Sequence, residues 1–186
     1  MEFSEDVSFF RLTKDTTIKP FASKDKDLND FLLEEAKHYQ SKLLATTHII
    51  ENSEKTLAYF SIFNDTLFAD ESKFPSKNQA RKFVSSQLPS QKRHIKSFPA
   101  IKIGRLAVCM QEKGYGRLII DWIIDYAIKC NETSACKFVT VDAYNASLGF
   151  YEKMNFVYLS EKDKHDDTRQ MYLDLTPYIN TLDELD

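Results

Sequence analysis

Two rhythms of apolar residues run along this chain. Residues 7–12 are extended and apolar, a first strand, and a polar stretch containing Pro20 follows. Leu28, Phe31, Leu32, Ala36, Tyr39 and Leu43 then recur at spacings of three and four, which predicts a helix with Asp27 capping its first amides. β-branched and aromatic residues over 46–51 and 56–64, joined by the turn residues Asn52-Ser53-Glu54-Lys55, predict a hairpin.

Residues 65–100 break the pattern. Isolated apolar residues stand among Lys, Arg, Ser and Gln, with Pro75, Pro89 and Pro99 as punctuation, and only one short helix, about 78–87, is expected. Regularity returns afterwards as strand 101–108, helix 114–130, strand 138–143, helix 147–153 and strands near 156–159 and 168–174. Strand–helix–strand–helix predicts parallel pairing in the middle of a sheet. The last two strands, joined by the charged loop 161–167, read as an antiparallel hairpin. The fold class expected is α/β (α+β), a mixed, twisted sheet of about six to seven strands flanked by helices. Without repeats or a linker, residues 1–186 are read as a single domain.

The composition sharpens this picture. With 186 residues, 42% of them hydrophobic, and only 4 Gly and 5 Pro, the chain suits a packed globule and excludes low-complexity or collagen-like classes. The net charge is −3. Its distribution is lopsided: Lys73, Lys77, Arg81, Lys82, Lys92, Arg93, Lys96, Lys102 and Arg105 give +9 with no acid among them, so the remainder carries −12. Such a block is either a solvated face or a surface for an anionic partner. The acidic start has no secretory pattern, and the apolar run 118–128 is broken by Asp121 and Asp125, so neither a leader nor a membrane span is expected. Cys109, Cys130 and Cys136 form no CxxC pair and read as reduced packing residues in a cytoplasmic protein. No metal is expected.

The candidate chemistry begins at residue 103. The strand Ile103-Gly104-Arg105-Leu106-Ala107-Val108 leads into Gln111-Glu112-Lys113-Gly114-Tyr115-Gly116-Arg117 and a long helix. Amides at a helix start lack intrahelical partners and carry partial positive charge, so such a loop can hold a diphosphate. Taken alone, such a junction is more often a plain turn. It is neither a Walker A loop nor a dinucleotide GxGxxG.

Together with Val141-Asp142-Ala143 and the run Asn145-x-Ser147-x-x-Phe150-Tyr151-x-Lys153-x-x-Phe156, this segment resembles the GNAT superfamily of acetyl-CoA-dependent N-acyltransferases. The resemblance implies a sheet whose middle strands splay around the pantetheine arm of acetyl-CoA. It assigns Leu106, Ala107 and Val108 to that arm. Gln111, Glu112, Lys113, Gly114, Tyr115, Gly116 and Arg117 fall to the pyrophosphate, and Asn145 to the other wall. Tyr151 becomes the acid that protonates the departing thiolate; on residues alone it is a half-buried core tyrosine. Asn155 stands where the family has Gly, a substitution a left-handed helix cap accepts.

No carboxylate occupies strand 101–108, where many relatives keep a base. An α-amine, with a reference pKa of about 8, needs a base less than a lysine at about 10.4 does. Asp142, Glu152, His38 and His48 are the other candidates for that role. Phe21, residues 27–32, Ala58-Tyr59-Phe60-Ser61 and Gly104-Arg105-Leu106-Ala107-Val108 further resemble the GNAT branch containing tRNA-acetylating toxins. That resemblance implies acetylation of the α-amine of aminoacyl-tRNA, with the basic 73–105 segment as an RNA surface. A small-molecule or protein amine, and a non-catalytic CoA- or RNA-binding module, stay open as alternatives. A homodimer is open too, though no residue argues for one.

Overall fold

The computed structural model describes residues 6–89, 95–109 and 114–183. Seven strands form one mixed sheet in the order β1-β2-β3-β4-β5-β7-β6. They are β1 (Ser8–Arg11), β2 (Thr46–Glu51), β3 (Thr56–Phe68), β4 (Ser97–Val108), β5 (Phe138–Tyr144), β6 (Val157–Tyr158) and β7 (Thr168–Asp174). β2 pairs antiparallel with β1 and β3, and β7 pairs antiparallel with β5 and β6, which is the expected closing hairpin. β3 and β4 are longer than the sequence pattern indicated, and the added ends place Leu67, Phe98 and Ala100 in the buried core of the second unit.

The chain forms two compact units, Met1–Phe63 with Ile103–Asp125, and Asn64–Lys102 with Tyr126–Asp186. Strands β3 and β4 each contribute to both. In the first unit, α1 (Lys26–Asp30), a π turn (Phe31–Glu35) and α2 (Ala36–Ser41) follow one another without a break. The N-cap is Asp25, whose carboxylate accepts from the Asp27 amide at 2.9 Å, so the expected cap at Asp27 is displaced by two residues. Within the π turn the Ala36 amide reaches the Phe31 carbonyl, one residue further than an α-helix allows. That extra residue shifts the phase of the helix. Phe31, Leu32 and Ala36 are buried against Leu12, Ile49, Tyr59 and Ala107, whereas Leu43, expected on the same face, lies beyond the helix end and is 89% exposed.

The other face of this half-sheet packs rings. His48 stacks on Phe60 with centroids 5.0 Å apart and meets Trp122 of α4 (Tyr115–Cys130) at 4.8 Å. Thr47 and Ser61, paired across β2 and β3, satisfy each other in the interior through a 2.8 Å hydroxyl bond.

In the second unit, α3 (Lys77–Gln87) is capped by the Ser76 hydroxyl and buries Ala80 and Val84. It covers an aromatic core in which Phe83, Phe98, Phe138 and Tyr172 meet edge to face at 5.2 to 6.3 Å. A short turn, Asn145–Ser147, opens α5 (Leu148–Lys153). A last helix, α6 (Thr176–Asp183), has no counterpart in the apolar rhythm; Asp174 starts it by accepting from the Thr176 amide at 2.9 Å. All three cysteines are free, and burial raises the Cys136 thiol pKa to about 11, consistent with packing roles.

Candidate functional site

In the first unit, β4 carries Leu106, Ala107 and Val108 to its end, where Ala107 is buried and its two neighbours are partly exposed. Gln111, Glu112 and Lys113 lie outside the described residues. Gly114 takes φ +87°, a left-handed conformation that favours glycine, and its Cα faces open space. Its carbonyl receives the amides of Arg117 at 3.1 Å and Leu118 at 3.3 Å, so it heads α4. The amides of Tyr115 and Gly116 therefore precede the first i→i−4 bond, as an anion-binding helix start requires.

The same strand places Arg105, which the sequence counted only within the basic 73–105 segment. Arg105 lies with its guanidinium carbon 5.0 Å over the Phe31 ring, and its Nη1 donates to the Gly104 carbonyl at 2.9 Å. Nη2 stands 4.0 Å from Asp27, and Nε is buried without a partner. Asp27 and Phe31 are one helical turn apart, and Asp27 is available because Asp25 took the cap. Beside them the Tyr59 hydroxyl donates to the Leu28 carbonyl at 2.6 Å, and burial pushes its pKa up.

In the second unit, Tyr151 sits on α5, buried between Phe150 and Phe156 with ring centroids 5.1 and 5.3 Å away. Burial pushes its pKa well above that of free tyrosine, so the phenol keeps its proton across the ordinary pH range. Asn145 is exposed at the end of β5, and its side-chain amide donates to the Asp166 carbonyl at 3.1 Å. Its side-chain oxygen is the atom it could offer a cofactor.

A buried arginine organises this region. Arg169, whose side chain is 8% exposed, donates to Asp163 at 3.2 Å and to the Ser160 carbonyl at 2.7 Å, and it covers the Tyr158 ring at 3.9 Å. Tyr158 in turn donates to Glu152, the neighbour of Tyr151, at 2.8 Å. Sequence periodicity could not reveal this network, because its members come from β6, β7 and the loop between them.

Three of the four candidate bases are paired or buried. Asp142 pairs with Lys102 at 2.5 Å, and Glu152 accepts from Tyr158. His48 has its pKa lowered to about 4 by burial and by Arg11, and it lies among aromatic rings. His38 is exposed on α2. Of the basic segment, Lys73 donates to Gln170 at 3.0 Å, Lys77 pairs with Glu71 at 3.4 Å, and Arg81 and Lys82 are exposed on α3. Lys92 and Arg93 lie outside the described residues. Among the described residues no group of His, Cys, Asp and Glu could hold a metal ion, and no helix is long and apolar enough to cross a membrane.

No family model matches the chain, and no curated protein matches it in sequence. Solved structures match its fold over nearly the full length. A variant of KacT superposes with a TM-score of 0.74 at 17% identity, covering 96% of this chain and 99% of that one. AtaT complexed with acetyl-methionyl-tRNAfMet gives 0.73 at 18% identity, covering 95% and 99%. A variant of the AtaT toxin bound to acetyl-CoA and the C-terminus of the antitoxin AtaR gives 0.70 at 16% identity, covering 96% and 98%. The chain thus has the fold of these toxins, the one its residues were expected to form.

Proposed function

We propose that the protein is an acetyl-CoA-dependent N-acetyltransferase whose acceptor is the α-amine of aminoacyl-tRNA. The observation that carries this reading is the full-length match to a fold solved with acetyl-CoA in one structure and with an acetylated aminoacyl-tRNA in another, in a chain that also has a left-handed glycine heading α4.

The chemistry follows from the residues in hand. The first-turn amides of α4, with Arg117, receive the pyrophosphate, and β4 residues Leu106 to Val108 flank the pantetheine arm. Asn145 offers its side-chain oxygen to the cofactor. The unprotonated amine attacks the thioester carbonyl directly; a C–N bond forms and the C–S bond breaks. Tyr151 gives its proton to the leaving sulfur, and the nitrogen releases its own to water. A buried phenol that stays protonated suits the acid step. With Asp142, Glu152 and His48 already engaged, the reaction leans on an amine of low pKa, which an aminoacyl ester supplies. The exposed Arg81 and Lys82 offer phosphate contacts for an RNA.

The test is transfer of labelled acetyl from acetyl-CoA to bulk charged tRNA, set beside a panel of peptides and polyamines. Label in charged tRNA that is lost on deacylation supports the reading. Transfer confined to peptides or polyamines moves the acceptor to a protein or small amine, and no transfer to any amine overturns the enzyme assignment.

A further inference from the structure

The Arg105 cluster is built in a way that fold stability does not explain. Two anchors hold the helix beside it: Tyr59 donates to the Leu28 carbonyl at 2.6 Å, and the Asn29 side chain accepts from the Ser23 amide at 2.8 Å. Asp27 and Phe31 are thereby fixed. An arginine that served packing or pairing alone would bring its forked edge onto a carboxylate, since two parallel N–H···O bonds are its strong mode. Arg105 does otherwise. One terminal nitrogen is spent on the adjacent backbone carbonyl, while Nε and Nη2, which share the other edge, have no acceptor within hydrogen-bond distance among the described residues; Asp27 at 4.0 Å is too far. The pair is also exposed, 37% for Arg105 and 65% for Asp27, where such contacts contribute little. A desolvated N–H without a partner is a cost that a folded chain rarely tolerates.

We propose that Arg105 is the residue that reads the acceptor, its Nε–Nη2 edge donating to the oxygen of a carbonyl one carbon from the attacking amine. The proposal rests on the N-acetyltransferase reading and adds the specificity within it. Arg105 immediately precedes Leu106 to Val108, the strand segment assigned to the cofactor arm, and it shares a strand face with Ala107. The Phe31 ring lies beneath the guanidinium carbon, and Asp27 stands beside it without filling its edge. An acceptor that carries amine and carbonyl together, an α-amino acyl ester or amide, completes the fork. A plain amine leaves it empty, and a site with an unmet buried donor discriminates against the ligand that lacks the acceptor.

Purified full-length protein is assayed with methionine methyl ester and with 3-(methylthio)propylamine, which has the same side chain and amine but no carbonyl. The wild type prefers the ester. Arg105→Lys keeps the charge but loses the fork, and the preference in kcat/KM shrinks at least about tenfold through the KM for the ester, with the KM for acetyl-CoA unmoved. Asp27→Asn, at an exposed position, shrinks the preference about threefold and serves if Arg105→Lys fails to fold. A preference unchanged in these variants, or an equal loss for both acceptors, overturns the role of Arg105 while leaving acetyl transfer standing. A wild type that acetylates neither acceptor nor charged tRNA overturns the underlying reading instead.

Discussion

The backbone amide of Phe156 donates to the carbonyl of Tyr151 at 3.0 Å, closing α5 around Asn155, which takes φ +65°. This is the six-to-one bond of a Schellman cap, and the Tyr151 and Phe156 rings, 5.3 Å apart, supply the apolar contact that accompanies it. The candidate acid is therefore fixed at both backbone and ring. Asparagine tolerates the left-handed conformation better than most residues, and glycine better still. Asn155→Gly should leave the melting temperature equal or slightly raised. Asn155→Val should lower stability by about 1 to 2 kcal/mol, the strain of a β-branched residue in that region. Equal melting temperatures for the two variants in a thermal scan would contradict the cap.

Tyr151 itself gives a prediction with a pH sign. Its phenol pKa is raised by burial alone, so the acid form persists well past the point where free tyrosine ionises. The turnover of the wild type should rise with pH as the acceptor amine deprotonates, with no decline assignable to tyrosine below about pH 10. Tyr151→Phe keeps both ring contacts and should lower kcat by about 100-fold, within the range of general acid catalysis, with acetyl-CoA affinity retained. Unchanged turnover would remove Tyr151 from the chemistry.

How much of this was legible beforehand depends on the range of the interaction. Local patterns were readable: the hairpin, the helix that became α4, the glycine before it and Asn155 in place of glycine all follow from neighbours within a few residues. The cap at Asp25 was missed because two aspartates stand two apart, and only backbone geometry decides which closes the first turn. The π turn was invisible because one extra residue in a helical ring leaves no compositional trace. Arg105 with Asp27 and Phe31 joins residues far apart in sequence, and Arg169 with Tyr158 and Asp163 forms only once the closing hairpin has folded. Those nonlocal pairs bear most on specificity and on how the tyrosine is held.

His48 makes stability depend on pH. Burial first, and the positive charge of Arg11 second, lower its pKa from 6.5 to about 4, and its Nδ1 is buried without a partner. The unfolded chain takes up a proton near 6.5 that the native protein refuses until about 4. Stability is thus complete above the higher value and falls as pH drops toward the lower one. Urea midpoints should decline between pH 7 and pH 4.5 more steeply for the wild type than for His48→Phe, which keeps the stack on Phe60 and Trp122. Parallel slopes would show that other groups carry the dependence.

Gly104 marks a close approach within the first unit. A Cβ there would meet Cε1 of Phe63 at 2.7 Å and Cδ1 at 3.3 Å, nearer than packed carbons stand. Gly104→Ala should cost about 1 to 3 kcal/mol as the ring is displaced, the usual penalty for overpacking. Phe63→Leu removes the offending ring edge, so the double variant should lose less than the two single losses added together. Additive losses in urea unfolding would mean that the methyl is accommodated elsewhere.

Gly114 separates backbone strain from charge in the proposed cofactor loop. At φ +87° any other residue is strained, yet a Cβ would meet nothing within 4 Å, so an added side chain occupies open space ahead of α4. Gly114→Ala should cost about 1 kcal/mol of stability from the backbone alone. Acetyl-CoA binding should weaken only modestly with it, since no atom blocks the helix start. Gly114→Glu carries the same strain but sets a negative charge against the pyrophosphate, where the positive end of the helix would otherwise act unopposed. Calorimetry should then show acetyl-CoA affinity at least about tenfold lower for Gly114→Glu than for Gly114→Ala, with the gap narrowing as salt screens the charge. Identical affinities for the two variants would take the diphosphate away from this helix start.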